Sequence, residues 1–297
     1  MAEVGIIGTG IMGLGVGRRL LERGFRVFGR DAFPANAEKA RQAGLEMRNS
    51  LAEVAGDAAR IILFLPGPAE IRACVTGADG LLAHLPKGGA ILDMSTSSPD
   101  NTVAMAAAAG AAGVGYLDVP VLGRPSTIGN WCLLAGGDAG VLEQCRDFLE
   151  PLAGKIIHVG GPGTGHAVKL LNQLMFGAIN AMTAEMMAVA EKIGVPPARV
   201  HEIIAGSQAS TVSGIFRELG ARIGEERYGD PTFTVAMLAK DIRLAVEMAE
   251  KAGCAPIVGR AVDLLNRFAL IRGKGGYDTA ILWEGVREMW RDDGTET

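Results

Sequence analysis

Val4-Gly5-Ile6-Ile7-Gly8-Thr9-Gly10-Ile11-Met12-Gly13 is the stretch that decides the fold of this 297-residue chain. An apolar run ends in three spaced glycines, and a helix-like segment, Leu14–Arg23, follows at once. In a strand–turn–helix of this kind each glycine has a task. Gly8 permits the tight turn, Gly10 lets a phosphate approach the backbone, and Gly13 lets the helix pack against the strand. The helix N-terminus then presents unpaired N–H groups and a partial positive charge. Residues Gly8, Thr9, Gly10, Ile11, Met12 and Gly13 are therefore candidate contacts of a dinucleotide. Asp31 falls eighteen residues beyond Gly13, at the end of the next apolar run. A carboxylate there accepts hydrogen bonds from the adenosine ribose and repels a 2′-phosphate, which favours NAD. Arg30 beside it is able to bind that phosphate, so NADP stays open.

Outward from this stretch, short apolar runs alternate with helical segments. The runs are Val4–Ile7, Arg26–Phe28, Ile61–Leu65, Ala90–Met94, Gly115–Val119, Cys132–Ala135 and Lys155–Val159; Ala35–Ala43 is a second helical segment. Such alternation predicts an α/β fold with a mostly parallel sheet, and runs without internal alternation suit strands covered on both faces. The glycine cluster Gly160–Gly165 closes the pattern. From His166 to Lys192 no proline interrupts, and apolar residues (Val168, Leu171, Met175, Ile179, Met182, Met186, Val189) recur all round. This predicts a helix of about 40 Å, buried among others. Further helical patterns cover Arg199–Ala205, Phe216–Ile223, Val235–Ala252 and Ile257–Leu270. The expected organisation is a Rossmann domain over 1–162 and an all-helical substrate or dimerisation domain over 163–297, joined by the long helix. The polar tail Arg291–Thr297 is expected to fray.

Composition narrows the partners. Charged residues make up 21% and the net charge is −4, without a basic block, so nucleic acid is not an expected partner. No apolar run reaches the ~18 residues of a membrane span, and Met1 leads into a strand rather than a secretory signal. Cys74, Cys132, Cys145 and Cys254 lack paired spacing, which fits a reduced, cytoplasmic protein with no metal site. A mostly apolar helical half predicts a homodimer or homotetramer.

Lys169 and Asn172 lie three apart on the long helix, with Gln173 beside them. A lysine among apolar neighbours needs a reason, because an unpaired buried charge is costly. Reduction of a carbonyl supplies one, since negative charge develops on its oxygen and a proton must be delivered. Taken alone, a structural lysine reaching solvent fits equally well. The motifs Gly8–Gly13, Leu65-Pro66, Asp93-Met94-Ser95-Thr96, Asp118-Val119-Pro120-Val121, Gly163–Asn172 and Leu238-Ala239-Lys240-Asp241 follow one another in order over nearly the whole chain. Together they resemble the β-hydroxyacid dehydrogenases. The resemblance implies that Lys169 is the general acid/base and that Thr96 sits at the nicotinamide and substrate. It implies that Leu65 and Pro66 flank the cofactor, that Phe233 and Lys240 approach it from the helical half, and that Asn172 and Gln173 position substrate. The substrate would be a small hydroxy acid or its semialdehyde. Imine reductases share the architecture but usually carry another residue at the lysine position. A catalytically silent NAD-binding sensor is a reading from a different class.

The substrate loop departs from the family. Leu122-Gly123-Arg124-Pro125 stands where Ser-Gly-Gly is common. Leu122 has no hydroxyl for a carboxylate, whereas Arg124 has a fork of donors for a carboxylate or sulfonate; a surface arginine is the plain alternative. Leu122, Gly123 and Arg124 are thus candidate substrate contacts. Asp241 reads as a local salt bridge or helix contact, His166 as structural, and Trp131 as packing. Ser207, Gln208, Ser210, Thr211 and Ser213 read as helix caps or cleft residues.

Overall fold

The computed structural model describes residues 2–207 and 214–289. Gln208, Ser210, Thr211, Ser213 and the tail Arg291–Thr297 lie outside the described residues. The chain forms two compact units that divide between Lys169 and Leu170.

In the first unit the elements run β1 (Glu3–Ile7), α1 (Ile11–Glu22), β2 (Arg26–Arg30), α2 (Pro34–Gln42), β3 (Glu46–Met47), α3 (Leu51–Asp57), β4 (Arg60–Leu63), α4 (Pro68–Thr76), β5 (Ala90–Asp93), α5 (Pro99–Ala111), β6 (Gly115–Asp118), β7 (Val121–Leu122), β8 (Trp131–Gly137), α6 (Ala139–Gln144), α7 (Arg146–Leu149) and β9 (Ala153–Gly160). The strands form one sheet in the order β3-β2-β1-β4-β5-β6-β8-β7, with β9 also paired to β8. Its first six strands are parallel, whereas β8 runs antiparallel to β6 and β7. An order of 3-2-1-4-5-6 is that of a dinucleotide-binding sheet.

Strand periodicity explains the layering. Ile6 and Ile7 point to opposite faces, and both are buried. Ile6 packs with Val16, Leu20 and Trp131 on one side. Ile7 packs with Phe28, Leu63 and Ile71 on the other. Helices therefore cover the sheet on both faces, as the unalternating runs predicted. One strand is shorter than expected. β4 ends at Leu63, and its last bond to β1 runs from the Phe64 N–H to the Ile7 carbonyl at 2.9 Å; the Leu65 N–H then turns to the Ser95 hydroxyl, and Pro66 has no N–H to give. Helix α1 begins at Ile11, inside the glycine motif.

The long helix α8 covers Thr164–Lys192. Beyond it in the second unit lie α9 (Pro197–Gly206), α10 (Gly214–Gly224), α11 (Val235–Lys251), α12 (Ile257–Ile271) and α13 (Leu282–Met289). At Gly177 a Cβ would come within 2.5 Å of Ile242 and 2.9 Å of Val262, so α8 passes α11 and α12 at close range. Ala184, Met187 and Ala188 join a core with Phe216, Leu219 and Trp283. The expectation that α8 is buried among other helices is not met on one face. Leu171, Met175, Met182 and Val189 stand exposed along it, and Ile193 just past its end. They recur at helical spacing and form a stripe, and the helices of this unit cover only the opposite faces of α8.

Candidate active site

The glycine loop leaves the carboxyl end of β1. Gly8 has φ +91°, and a Cβ there would lie 2.1 Å from the Phe64 carbonyl oxygen. A Cβ on Gly13 would lie 1.9 Å from the Gly8 oxygen. Both positions are closed to any other residue by the protein itself. Gly10 differs, since nothing lies within 4 Å of where its Cβ would be. No side chain caps the N-terminus of α1, and its first turn has no acid. The donors of this helix end thus face an open, glycine-lined surface, and a diphosphate fits there. Ile11 is exposed, and Met12 packs against the core.

Asp31 follows β2 directly. Its carboxylate accepts the Thr9 N–H at 2.7 Å and the Phe33 N–H at 2.8 Å. It therefore braces the glycine loop and turns the chain toward α2, in addition to any ribose contact. The Arg30 Nε donates to the Asn49 carbonyl at 3.3 Å.

At the neighbouring strand ends, Ser95 is the joint. Its hydroxyl accepts the Leu65 N–H at 2.9 Å, and its own N–H donates to Asp93 at 3.0 Å. Asp93 also accepts the Tyr116 hydroxyl at 2.8 Å. Burial, with the Asp93 charge next, pushes the Tyr116 phenol well above its ordinary range, so Tyr116 remains a donor. Leu65, Pro66 and Thr96 thus leave the sheet from strands tied together by one buried serine.

The start of α8 is fastened to β6. Asp118 accepts the Gly163 N–H at 2.9 Å and the His166 N–H at 2.8 Å, one on each oxygen. From another strand, it does for α8 what an N-cap side chain does locally. Burial pushes the Asp118 carboxyl above its ordinary value, while the His166 ring and these N–H groups pull the other way. Gly165 permits the approach, because a Cβ there would meet the Leu134 oxygen at 2.3 Å. One turn further on, the Lys169 Nζ donates to the Val121 carbonyl at 2.9 Å. Val121 opens the loop Leu122-Gly123-Arg124-Pro125. Lys169 is therefore bonded to the residue that leads into the predicted substrate loop.

That loop is built on Trp131. The indole N–H donates to the Arg124 carbonyl at 2.8 Å. A Cβ on Gly123 would lie 2.0 Å from the ring. Trp131 packs, as expected, and it also dictates the glycine beside it. Leu122 pairs with Cys132 at the sheet edge. Arg124 is half-buried, with the Thr127 hydroxyl bonded to its backbone.

In the second unit, Asn172 is exposed and donates to the Gln173 carbonyl at 3.4 Å. Gln173 is buried and donates to Asp241 at 2.6 Å. Lys240 pairs with the other Asp241 oxygen at 2.8 Å. One carboxylate therefore holds both Lys240 and, through Gln173, Asn172. The open alternatives for Asp241 resolve to a salt bridge. Gln173 faces inward instead of lining an open surface. Phe233 stacks edge-on against Phe176 at 5.7 Å.

Sequence reasoning missed the supports. Ser95 and Asp118 entered only as members of motifs. An acid inside the apolar run Gly115–Val119 is the signal that would have marked Asp118.

A glycine loop at a parallel strand end, with a lysine beside the predicted substrate loop, fits a nicotinamide-dependent oxidoreductase. Family models agree on both halves. One, described as the NAD-binding domain of 6-phosphogluconate dehydrogenase, matches residues 3–160. Another, described as NAD-binding of NADP-dependent 3-hydroxyisobutyrate dehydrogenase, matches residues 163–284. A 3-sulfolactaldehyde reductase of Escherichia coli (strain K12) is 31% identical, over 97% of this chain and 96% of the relative. A 2-(hydroxymethyl)glutarate dehydrogenase of Eubacterium barkeri is 31% identical, over 86% and 84%. Among solved structures, a 3-hydroxyisobutyrate dehydrogenase from Salmonella typhimurium superposes with TM-score 0.88 at 24% identity, over 96% of this chain and 99% of that one. An imine reductase from Myxococcus stipitatus superposes less well, with TM-score 0.60 at 21% identity over 96% and 99%. The chain belongs to the β-hydroxyacid dehydrogenase family. It is an NAD(P)-dependent oxidoreductase acting on the CH–OH group of hydroxy acids.

Proposed function

We propose that this enzyme interconverts a small 3-hydroxycarboxylate, or the corresponding sulfonate, with its semialdehyde, using Lys169 as general acid/base. The carrying observation is the bond from the Lys169 Nζ to the Val121 carbonyl, at the mouth of the substrate loop. When bound, the nicotinamide accepts the hydride in oxidation and supplies it in reduction. Lys169 takes the hydroxyl proton in the first direction and returns it to the carbonyl oxygen in the second. An ammonium has three donors, so the bond to Val121 aims the group rather than consuming it. Gly8–Gly13 hold the diphosphate, Leu65 and Pro66 flank the ring, and Thr96 orients the reacting carbon. Phe233 and Lys240 complete the cofactor site. Asn172 orients substrate, and Gln173 holds Asn172. Arg124 takes over the anionic end that Leu122 cannot bind, and the sulfonate relative keeps sulfonates within the class.

NAD is the proposed cofactor over NADP, because Asp31 places a carboxylate at the ribose end of the glycine loop. The stripe from Leu171 to Ile193 supports a second copy of the chain as partner, in a homodimer or homotetramer. Among the described residues no helix is long and apolar enough to cross a membrane; a cytoplasmic enzyme is our reading. A panel of semialdehydes, sulfoaldehydes and 3-hydroxy acids, assayed by nicotinamide absorbance with both cofactors, tests this reading. Turnover of one of them with NAD supports it. No turnover of any, or strong preference for NADP, defeats the substrate or the cofactor part respectively.

A further inference from the structure

His166 is fully buried, and both of its ring nitrogens are engaged. Nε2 lies 3.1 Å from the Ser95 carbonyl oxygen, and Nδ1 lies 2.7 Å from the Thr102 hydroxyl. A carbonyl oxygen only accepts, so Nε2 carries the proton in this arrangement. Nδ1 pairs with the Thr102 hydroxyl, which also donates to the Ser98 carbonyl at 3.2 Å. The ring thus bridges α5 and the Ser95–Thr96 peptide, from a position three residues before Lys169. The other polar groups of Ser95 are committed to Leu65 and Asp93. Its carbonyl, bonded to His166, is the group that forms the next peptide, to Thr96.

We propose that His166 is a positioning residue for the reaction, locking the Thr96 peptide to the helix that carries Lys169. This rests on the assignment of Lys169 and Thr96 above. Without the imidazole, Thr96 and Lys169 keep their own supports but lose the direct tie between them. A misplacement of about 1 Å between reacting groups costs about a hundredfold in rate. The loss falls on turnover and leaves the glycine loop untouched.

The test compares His166→Leu, His166→Gln and Lys169→Ala in the full chain. Turnover, cofactor Kd by fluorescence and thermal unfolding are measured for each. His166→Leu keeps volume and removes both bonds, and kcat is expected to fall about 10- to 100-fold. Cofactor Kd stays within about twofold, since the donors of the phosphate site are unchanged. His166→Gln restores a donor toward Ser95 and recovers most of the loss. If His166→Leu does not fold, Thr102→Val removes the partner of Nδ1, together with the bond from Thr102 to the Ser98 carbonyl, and is expected to lower kcat at unchanged cofactor Kd. The proposal is overturned if folded His166→Leu turns over within about twofold of the wild type, a change too small for a positioning role. It is also overturned if cofactor affinity falls in step with kcat, if His166→Gln recovers nothing, or if Thr102→Val, standing in for an unfolded His166→Leu, is silent. Loss in Lys169→Ala with no loss in His166→Leu sinks the positioning role alone. Full activity in Lys169→Ala sinks the assignment on which it rests.

Discussion

Gly10→Ala separates cofactor binding from folding more sharply than any other single change in the glycine loop. No protein atom lies within 4 Å of the added methyl, and Gly10 has φ −65° and ψ −162°, which alanine adopts without strain. Alanine is a poorer helix cap than glycine, but it lowers the entropy of the unfolded chain; the two effects nearly cancel, within about 0.5 kcal/mol. The space the methyl enters is the surface proposed for the diphosphate. Displacing a phosphate from one or two charge-assisted hydrogen bonds costs about 2–4 kcal/mol. That is a rise in cofactor Kd of about 30- to 1,000-fold. Gly13→Ala is the contrasting variant. Its methyl would meet the Gly8 oxygen at 1.9 Å, so α1 must shift and stability must fall. Overpacking of this kind costs about 1–3 kcal/mol, with cofactor affinity lost as well. Titration of protein fluorescence with NAD, beside thermal unfolding, reads both quantities. A Gly10→Ala enzyme with unchanged unfolding and unchanged Kd would refute the placement of the diphosphate.

Gly123→Ala drives a methyl to 2.0 Å from the Trp131 ring, so the substrate loop must move. It is expected to raise substrate KM at least about tenfold, with cofactor Kd unchanged; an unchanged KM would argue that the loop does not touch substrate. Burial pushes the Cys74 thiol up to about 12, so at pH 8 it is protonated and shielded, whereas Cys254 is exposed. Iodoacetamide on the native enzyme should therefore label Cys254 and spare Cys74, as read by peptide mass spectrometry. Labelling of both at equal rates would contradict the packing of α4. Asp31→Ala removes the carboxylate from the ribose end and the brace on Thr9. The ratio of NAD to NADP efficiency should fall by about tenfold or more, as expected for loss of one charged contact. An unchanged ratio would leave Asp31 with its bracing role alone.

The sheet was legible because its strands are buried on both faces, which leaves unbroken apolar runs such as Ile61–Leu63. The two-residue strands β3 and β7 were not, since their pairing is decided by neighbours distant in sequence. The short helix α3 likewise has too few residues for a periodicity to register. The exposed stripe on α8 was misread for a related reason. Periodicity gave the apolar residues of the helix, while the number of helices available to cover them is a tertiary fact. In the site, Gly8, Gly13, Lys169 and Trp131 stood out by residue type and spacing. The bonds from His166 to Ser95, from Asp118 to the start of α8 and from Gln173 to Asp241 join residues 71, 48 and 68 positions apart. No local pattern encodes such pairs, and they decide how the legible residues are held.

Lys169 carries the proposed proton transfer, and single-turnover measurement of Lys169→Ala tests that role. Cofactor-loaded enzyme is mixed with the best substrate from the panel, and the nicotinamide absorbance is followed in time. General acid/base catalysis contributes about 10²- to 10⁴-fold. A fall of that size in the chemical step, with cofactor Kd unchanged, is the predicted result. A Lys169→Ala enzyme whose chemical step stays within a few-fold of the wild type would rule out Lys169 as the general acid/base.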